Sequence, residues 1–459
     1  MKKLFIKISA LFVLGLTVGC SEIATDAPAL PEQNANAPGL ARSVEEAEDI
    51  ALGALYAFRP GARGEDSRAP LALTHTVITL PRSRNAAPDT ILHVVDYGEN
   101  EGFAVIGGPK NSEPLYAFVE TGSFNDPEVL NVEGFQYFME CAAASIIINP
   151  PMDRDSLVTD TTNTQPLKTK TEYAWNLVKT GGRVINLAWG QGVASRGGEY
   201  EGLYCPNKTA GCVMTASLLV MAYHQQPTSM SFTFPERDCE SAIFDWQSMK
   251  THFAYHGRKF NKYDENGVEI TITDNCSASE QQHRNLGRIC RQIGYEINAN
   301  YISDGGTWAS TATAAQLLAD QYVTSSQLQL LSWTNFSESE FIDLIDQGIA
   351  MTSGTDTNGS GGHAWITDAY KTMDCYENKY CIKPSISSSN EEWELIESKK
   401  LKTENFIHYN WGWNGYCNGY FNTGVFAVNE PHSFDPGMSG VAANRDYSLG
   451  VYYYFFIPK

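Results

Sequence analysis

The stretch Thr209-Ala210-Gly211-Cys212-Val213-Met214-Thr215-Ala216-Ser217-Leu218-Leu219-Val220-Met221-Ala222-Tyr223-His224 decides how the chain is read. A polar loop ends at Gly211, one cysteine follows, and the residues after it are almost wholly apolar, with no Pro or Gly. The pattern predicts a buried helix with Cys212 in its first turn, because a helix that is apolar all round must be surrounded by protein. A helix N-terminus carries unsatisfied N–H groups and the positive end of the macrodipole. A cysteine there has its thiolate favoured, and the thiolate is the nucleophile. Taken alone, such a stretch is more often an inert core thiol; the rest of the chain reverses that reading.

Three further stretches bear on Cys212. Upstream, Ile185-Asn186-Leu187-Ala188-Trp189-Gly190-Gln191-Gly192 puts Gln191 in a glycine-rich turn, where its amide can donate to a developing oxyanion. Downstream, Asn358-Gly359-Ser360-Gly361-Gly362-His363-Ala364-Trp365-Ile366-Thr367-Asp368-Ala369-Tyr370 delivers His363 from a glycine-rich loop to the start of a strand. Such a histidine faces a cleft and is a candidate general base for a helix-terminal cysteine. Further on, Phe406-Ile407-His408-Tyr409-Asn410-Trp411-Gly412-Trp413-Asn414-Gly415 reads as a strand ending at Asn410, then a Trp-Gly-Trp turn. Asn410 can accept the His363 ring N–H and fix its tautomer, with Trp411 keeping water away, which is the logic of nucleophile, base and orienter.

Composition bounds the alternatives. The chain has 459 residues, enough for two or three domains, and a formal charge of −20, which disfavours nucleic acid as a partner. Its ten cysteines show no C-x-x-C spacing, so no metal site is expected, and no organic cofactor is implied. Cys375 and Cys381 bracket a short polar stretch and are either a disulfide or two free thiols.

The front of the chain reads as an address. Met1-Lys2-Lys3 and the apolar run Leu4 to Val18 resemble a bacterial secretory signal over 1–20, too short to span a bilayer. Leu16-Thr17-Val18-Gly19-Cys20 resembles a lipobox, with Thr17 a departure, so Cys20 is a candidate lipidation site. A lipid there would be the one membrane contact of an otherwise soluble, exported protein, at the outer membrane or cell surface or released after processing. Residues 21–42 are rich in Ala, Pro and Asn and read as a flexible tether. Residues 43–150 predict a small α+β domain. Ser43 and Glu46 form a capping-box pattern, and short alternating runs follow at His75–Leu80, Ile91–Tyr97 and Gly102–Gly108. His75 and His93 read as packing or surface residues. Asp126 to Ile148 predicts a closing helix. Residues 151–172, polar and Thr-rich, read as a cleavable linker with basic points at Lys168 and Lys170. Residues 173–459 are continuously globular. A domain, a cleavable linker and a domain with a nucleophile is the layout of a zymogen.

Taken in order, Trp189-x-Gln191, Ala210-Gly211-Cys212-Val213-x-Thr215-Ala216, Tyr223-His224, Gly362-His363-Ala364-Trp365 and Asn410-Trp411-Gly412-Trp413 resemble the streptopain family of papain-like cysteine peptidases. The chain looks like a Bacteroidetes-type lipoprotein member. Cys290-Arg291-Gln292-Ile293-Gly294, Tyr301 and Gly305-Gly306 resemble the family's mid-domain helix and loop. The resemblance implies an α+β fold, a papain-like catalytic domain of a helical part and an antiparallel sheet behind an inhibitory propeptide domain. It makes Cys212 the nucleophile, His363 the base, Gln191 a lining of the oxyanion hole, Asn410 the orienter of His363, and Trp411 its shield. It also implies protein or peptide substrates, the chain's own propeptide as inhibitor, and a preference for apolar residues two positions before the cut. His224 belongs to the motif but lies about 18 Å along the helix from Cys212, too far to be the base. Departures are Ala369 for the usual Gly, an insertion over Asp374–Asn405, and an extended Ser195–Cys205 loop. The expectation is an exported cysteine endopeptidase made as a zymogen. Its rivals are a non-catalytic surface-binding lipoprotein and a Cys-His cell-wall amidase.

Overall fold

Ser43 opens the first helix, α1 (Val44–Phe58), through a complete capping box: its hydroxyl accepts the Glu46 N–H while the Glu46 carboxylate accepts the Ser43 N–H. The arrangement satisfies two orphan donors and stabilises the helix by about 1 kcal/mol. In the computed structural model the described residues are 41–59, 73–80, 89–126, 128–129, 132–148, 169–192, 200–251, 260–263, 269–272, 280–303, 306–332, 337–355, 362–382, 393–426 and 451–459. Cys20 and the whole of 1–40, the linker up to Lys168, the front of the extended loop over 193–199, Gly305 and Asn358–Gly361 lie outside them.

The architecture is α+β. Strands β1 (Thr74–Leu80), β2 (Asp89–Asp96) and β3 (Phe103–Gly107), at the three predicted runs, form an antiparallel meander with a fourth strand that was not predicted, β4 (Ala117–Val119). Helix α2 (Glu133–Ile148) closes this N-terminal unit. The C-terminal part contributes β5 (Thr169–Gly182), β6 (Ser326–Ser332), β7 (Ile349–Thr355), β8 (Gly362–Ile382), β9 (Trp393–Asn410), β10 (Gly419–Asn422) and β11 (Tyr452–Pro458). Its helices include α3 (Cys212–His224), α4 (Glu280–Glu296) and α5 (Glu338–Gln347).

The two parts share one sheet. β4 pairs antiparallel with β10, so a single eleven-stranded sheet runs β1-β2-β3-β4-β10-β9-β8-β7-β11-β6, with β5 also paired to β8. Three apolar cores lie against it. One is built around α3 and α4 on the helical side. Another joins Phe135 and Phe138 of α2 to Trp365, Tyr409, Trp411 and Phe421. In the third, Ile50, Leu55 and Phe58 of α1 pack on Trp175, Met373, Phe406 and Tyr420. Burial of each large side chain contributes roughly 1.5–3 kcal/mol, so the N-terminal unit is docked through two cores and a strand pairing, more than a hinge contact.

Three sequence readings are refined. The excursion at Asp374–Asn405 is, over its described residues, the continuation of β8 and β9 into a long hairpin, flanked by β5. Cys375 and Cys381 are both free and sit on one strand, about 20 Å apart at about 3.3 Å per residue, so no disulfide joins them. The end of the expected linker, Thr169–Glu172, is already strand, with Lys170 opposite Tyr380.

Candidate active site

Helix α3 begins where the sequence puts it. Val213 to Ala222 are buried throughout, and Cys212 is half-buried at the first position. Gly211 precedes it at φ +90°, a conformation that favours glycine, and a methyl group there would lie 2.8 Å from Thr307 Cβ. Thr215, one turn on, is buried and donates its hydroxyl to the carbonyls of Gly211 at 3.0 Å and Gly190 at 3.2 Å. The start of α3 is thereby tied to the turn that carries Gln191. The Ala210 N–H also donates to the Gln191 carbonyl at 2.8 Å, so Gln191 runs beside the residues leading into Cys212. Its side-chain Nε2 is buried and has no hydrogen-bond partner among the described residues. A buried amide donor left open beside a helix N-terminus suits a developing negative oxygen.

His363 is the second residue of β8, opposite Gly354 on β7, and is buried. Its Nε2 faces the Trp411 carbonyl at 3.0 Å, and its ring lies nearly parallel to that of Trp365, 6.2 Å between centroids. Trp365 in turn packs on Trp411 at 5.2 Å. Trp411 is fully buried, with its backbone N–H donated to Asn418 and its indole N–H to the Cys417 carbonyl. From the N-terminal unit, Gly134 of α2 presses on this pair: a methyl group there would lie 2.3 Å from Trp411 Cε3 and 2.7 Å from His363 Cδ2.

Asn410 takes partners other than the expected ones. Its Nδ2 donates to the carbonyls of Ile185 at 3.3 Å and Leu187 at 2.9 Å, and its Oδ1 accepts the Gly412 N–H at 3.0 Å. The register explains this. Asn410 pairs with Ile366, so it shares the face of Ile366 and Ala364, which pack in the α3 core. His363 and Trp365 alternate to the other face. Asn410 therefore clamps the segment leading to Gln191 rather than the imidazole.

The segments that carry the candidates are tied together around the Trp411-Gly412 dipeptide. The Trp411 carbonyl holds His363, while a methyl group on Gly412 would lie 3.1 Å from Thr215 Cγ2, one turn from Cys212. The Asn414 N–H donates to the Trp189 carbonyl at 3.1 Å, closing the Gln191 arm onto the same turn. With the N-terminal unit in place, His363 Nε2 is directed at the Trp411 carbonyl. His224, at the far end of α3, contacts Ser326 at 3.4 Å, and burial pushes its imidazole down to about 4.

The sequence model of the peptidase C10 family matches residues 197–421, a span holding Cys212, His363, Asn410 and Trp411. Over this span the chain matches the C10 cysteine peptidases. Streptopain of Streptococcus pyogenes is 20% identical over 431 residues, 92% of each chain. The thiol protease/hemagglutinin PrtT of Porphyromonas gingivalis is 20% identical over 248 residues, 52% of this chain and 23% of that one. The solved structure of a Prevotella intermedia prointerpain A fragment, 16% identical, covers 83% of this chain and 98% of its own at a TM-score of 0.45.

Sequence reading gave no role to Thr215, Asp368, His408 or Asn414. Asp368 is fully buried; its Oδ2 accepts the Ile185 N–H at 2.5 Å and its Oδ1 lies 2.6 Å from His408 Nδ1. On the other side of that ring, His408 Nε2 is 3.6 Å from Glu120 of the N-terminal unit. Burial works against the imidazolium, but Asp368 and then Glu120 outweigh it and raise His408 to about 9. The available signal was a carboxylate and a histidine, each set inside an otherwise apolar strand.

Proposed function

We propose that the chain is an exported cysteine endopeptidase made as an inactive precursor, with Cys212 as nucleophile and His363 as base. The thiol proton passes to the His363 imidazole, and the thiolate attacks the scissile carbonyl carbon. The tetrahedral oxyanion is held by the Gln191 side chain and the Cys212 backbone N–H. On collapse the C–N bond breaks, and the His363 imidazolium gives its proton to the departing amine. Water, deprotonated by His363, then cleaves the thioester and releases the acid. Trp411 keeps this proton traffic away from bulk solvent.

The observation that carries this reading is the buried Nε2 donor of Gln191, without a partner among the described residues and held beside the start of α3. The precursor reading rests on α2, whose Gly134 packs on Trp411 and His363. While α2 stays, the imidazole keeps its bond to the Trp411 carbonyl and substrate has no access to it. Removing the N-terminal unit frees the base. Processing falls at or before Lys168, because Lys170 is paired with Tyr380 and its ammonium lies over Tyr380 and Trp393. Export rests on the signal-like sequence over 1–20, and lipid attachment rests on Cys20.

Casein incubated with the processed protein tests the assignment. Cleavage is expected to stop with a thiol-reactive epoxide and in Cys212→Ala; cleavage that survives that substitution overturns it. Labelled fatty-acid incorporation that vanishes in Cys20→Ala tests the anchor.

A further inference from the structure

The arm that carries Gln191 is not held by the strand pairing of the large sheet. After β5 ends at Gly182, residues 183–192 run without regular secondary structure. The Gln191 end is tied to Thr215, Ala210 and Asn414, and the first half, 183–187, is positioned by point contacts from two strands, β8 and β9. The Arg183 N–H donates to the Asp368 carbonyl at 2.8 Å, and the Ile185 N–H donates to the Asp368 carboxylate at 2.5 Å. Asn410 then takes the Ile185 and Leu187 carbonyls. Asp368 sits at a bulge, where the β8–β9 register slips between Thr367 and Ala369, and the bulge re-aims its side chain at the arm. A carboxylate with no exposed surface is costly unless its lone pairs are filled. Here one oxygen takes the Ile185 N–H and the other takes the His408 ring.

We propose that Asp368, backed by His408, is a positioning residue for the oxyanion donor. It sets the height of the 183–192 arm over the sheet, and so the place of the Gln191 amide relative to Cys212. This rests on the reading of Gln191 as that donor. Asp368 and His408 touch neither Cys212 nor substrate; they act through the arm. An oxyanion donor works mainly in the transition state, so its misplacement lowers kcat and leaves KM nearly alone. The reactivity of the thiolate itself is untouched, because it does not use the oxyanion hole.

The test is a double-mutant cycle in the processed enzyme between Asp368→Asn and Gln191→Ala, with kcat and KM on a peptide substrate and the rate of Cys212 alkylation by iodoacetamide. Asp368→Asn keeps the shape and an acceptor for Ile185 but loses the charge. It is expected to lower kcat about 10- to 100-fold with KM within about twofold. Alkylation of Cys212 stays within about twofold of wild type. In the Gln191→Ala background the same change costs less than about threefold, because the arm then has nothing to deliver. Unchanged kcat in Asp368→Asn, or a loss that adds in full to that of Gln191→Ala, overturns the proposal. A parallel fall in alkylation also overturns it, since that marks general disordering of the site. Where Asp368→Asn does not yield folded protein, His408→Gln keeps a donor toward Asp368 without the charge. It is expected to cost about three- to tenfold in kcat, again non-additively with Gln191→Ala. Wild-type kcat in Gln191→Ala alone refutes the oxyanion reading, which is a separate result from failure of the Asp368 arm.

Discussion

Gly134 and His363, one in the N-terminal unit and one on the catalytic sheet, are in van der Waals contact so close that a methyl group on Gly134 would sit 2.7 Å from the imidazole Cδ2. The same methyl would meet the Trp411 ring, which is buried and has nowhere to move. Gly134→Ala is therefore expected to loosen the docking of α2 by about 1–3 kcal/mol, the usual cost of one extra carbon in a filled core. Self-processing should then be faster, while the processed enzyme keeps wild-type activity because residue 134 has left with the N-terminal unit. A time course of processing on gels checks this. Unaltered processing in a folded Gly134→Ala would mean that α2 does not hold the base.

Asn410 separates two mechanisms cleanly. Its amide nitrogen faces two carbonyl oxygens, those of Ile185 and Leu187. Asn410→Asp would put a carboxylate oxygen against both, a repulsive arrangement in a fully buried site. Asn410→Ala only deletes the clamp. The substitution to Asp is thus expected to be worse than that to Ala, by 1 kcal/mol or more on the order of one unsatisfied buried group. Were Asn410 the orienter of His363, Asp would be the better tolerated of the two. Thermal midpoints together with kcat for both variants distinguish the cases.

Local pattern made the helix of Cys212, the strand of His363 and the capping box of α1 legible, because each rests on residues within a turn or two of one another. The partner of Asn410 was not legible. It depends on strand register, which pairs it with Ile366, and on a bulge at Asp368 that interrupts the alternation of β8. Neither register nor bulge leaves a mark in sequence spacing. The joining of the two units into one sheet was hidden for a similar reason: Ala117–Val119 pairs with Gly419–Phe421 across some three hundred residues. The state of Cys375 and Cys381 stayed open because a polar stretch between two cysteines reads as a loop, whereas here it is continuous strand.

The N-terminal unit carries an acid-sensitive histidine, His93. His75 Nε2 lies 2.8 Å from His93 Nδ1 on the neighbouring strand. Burial, with His75 adding to it, holds His93 down to about 4. A depressed imidazole stays neutral in the folded state while the unfolded chain takes up its proton, so stability is lost as pH falls from about 6.5 towards 4. Asp49 works the other way: burial and then Glu172 raise it to about 6, so the folded state gains as that carboxylate is protonated. The two oppose each other between about pH 4 and 6, and a single-site variant separates them. His93→Gln is expected to lose about 1–2 kcal/mol less than wild type between pH 6.5 and 4.5. Urea midpoints of the full-length chain at those two pH values give the difference; equal slopes would exclude His93 as the source.

His408 titrates in the opposite direction and across the boundary between the units. Its imidazolium lies 2.6 Å from Asp368 and 3.6 Å from Glu120, with the Tyr420 ring packed edge-on and the Lys371 ammonium 4.6 Å beyond that ring. Because the folded value is raised to about 9, its contribution is fully present below about pH 6.5 and is lost as pH rises through 9. The full contribution is about 3 kcal/mol. Asp368 supplies more of it than Glu120, being closer and bonded directly. The full-length chain should lose stability between pH 7 and 9.5, and His408→Gln should flatten that slope. Glu120→Gln should reduce the slope in the full-length chain alone, since Glu120 departs with the N-terminal unit while Asp368 stays. An equal effect of Glu120→Gln on the processed enzyme, prepared from the same variant, would mean that the N-terminal unit remains attached after cleavage.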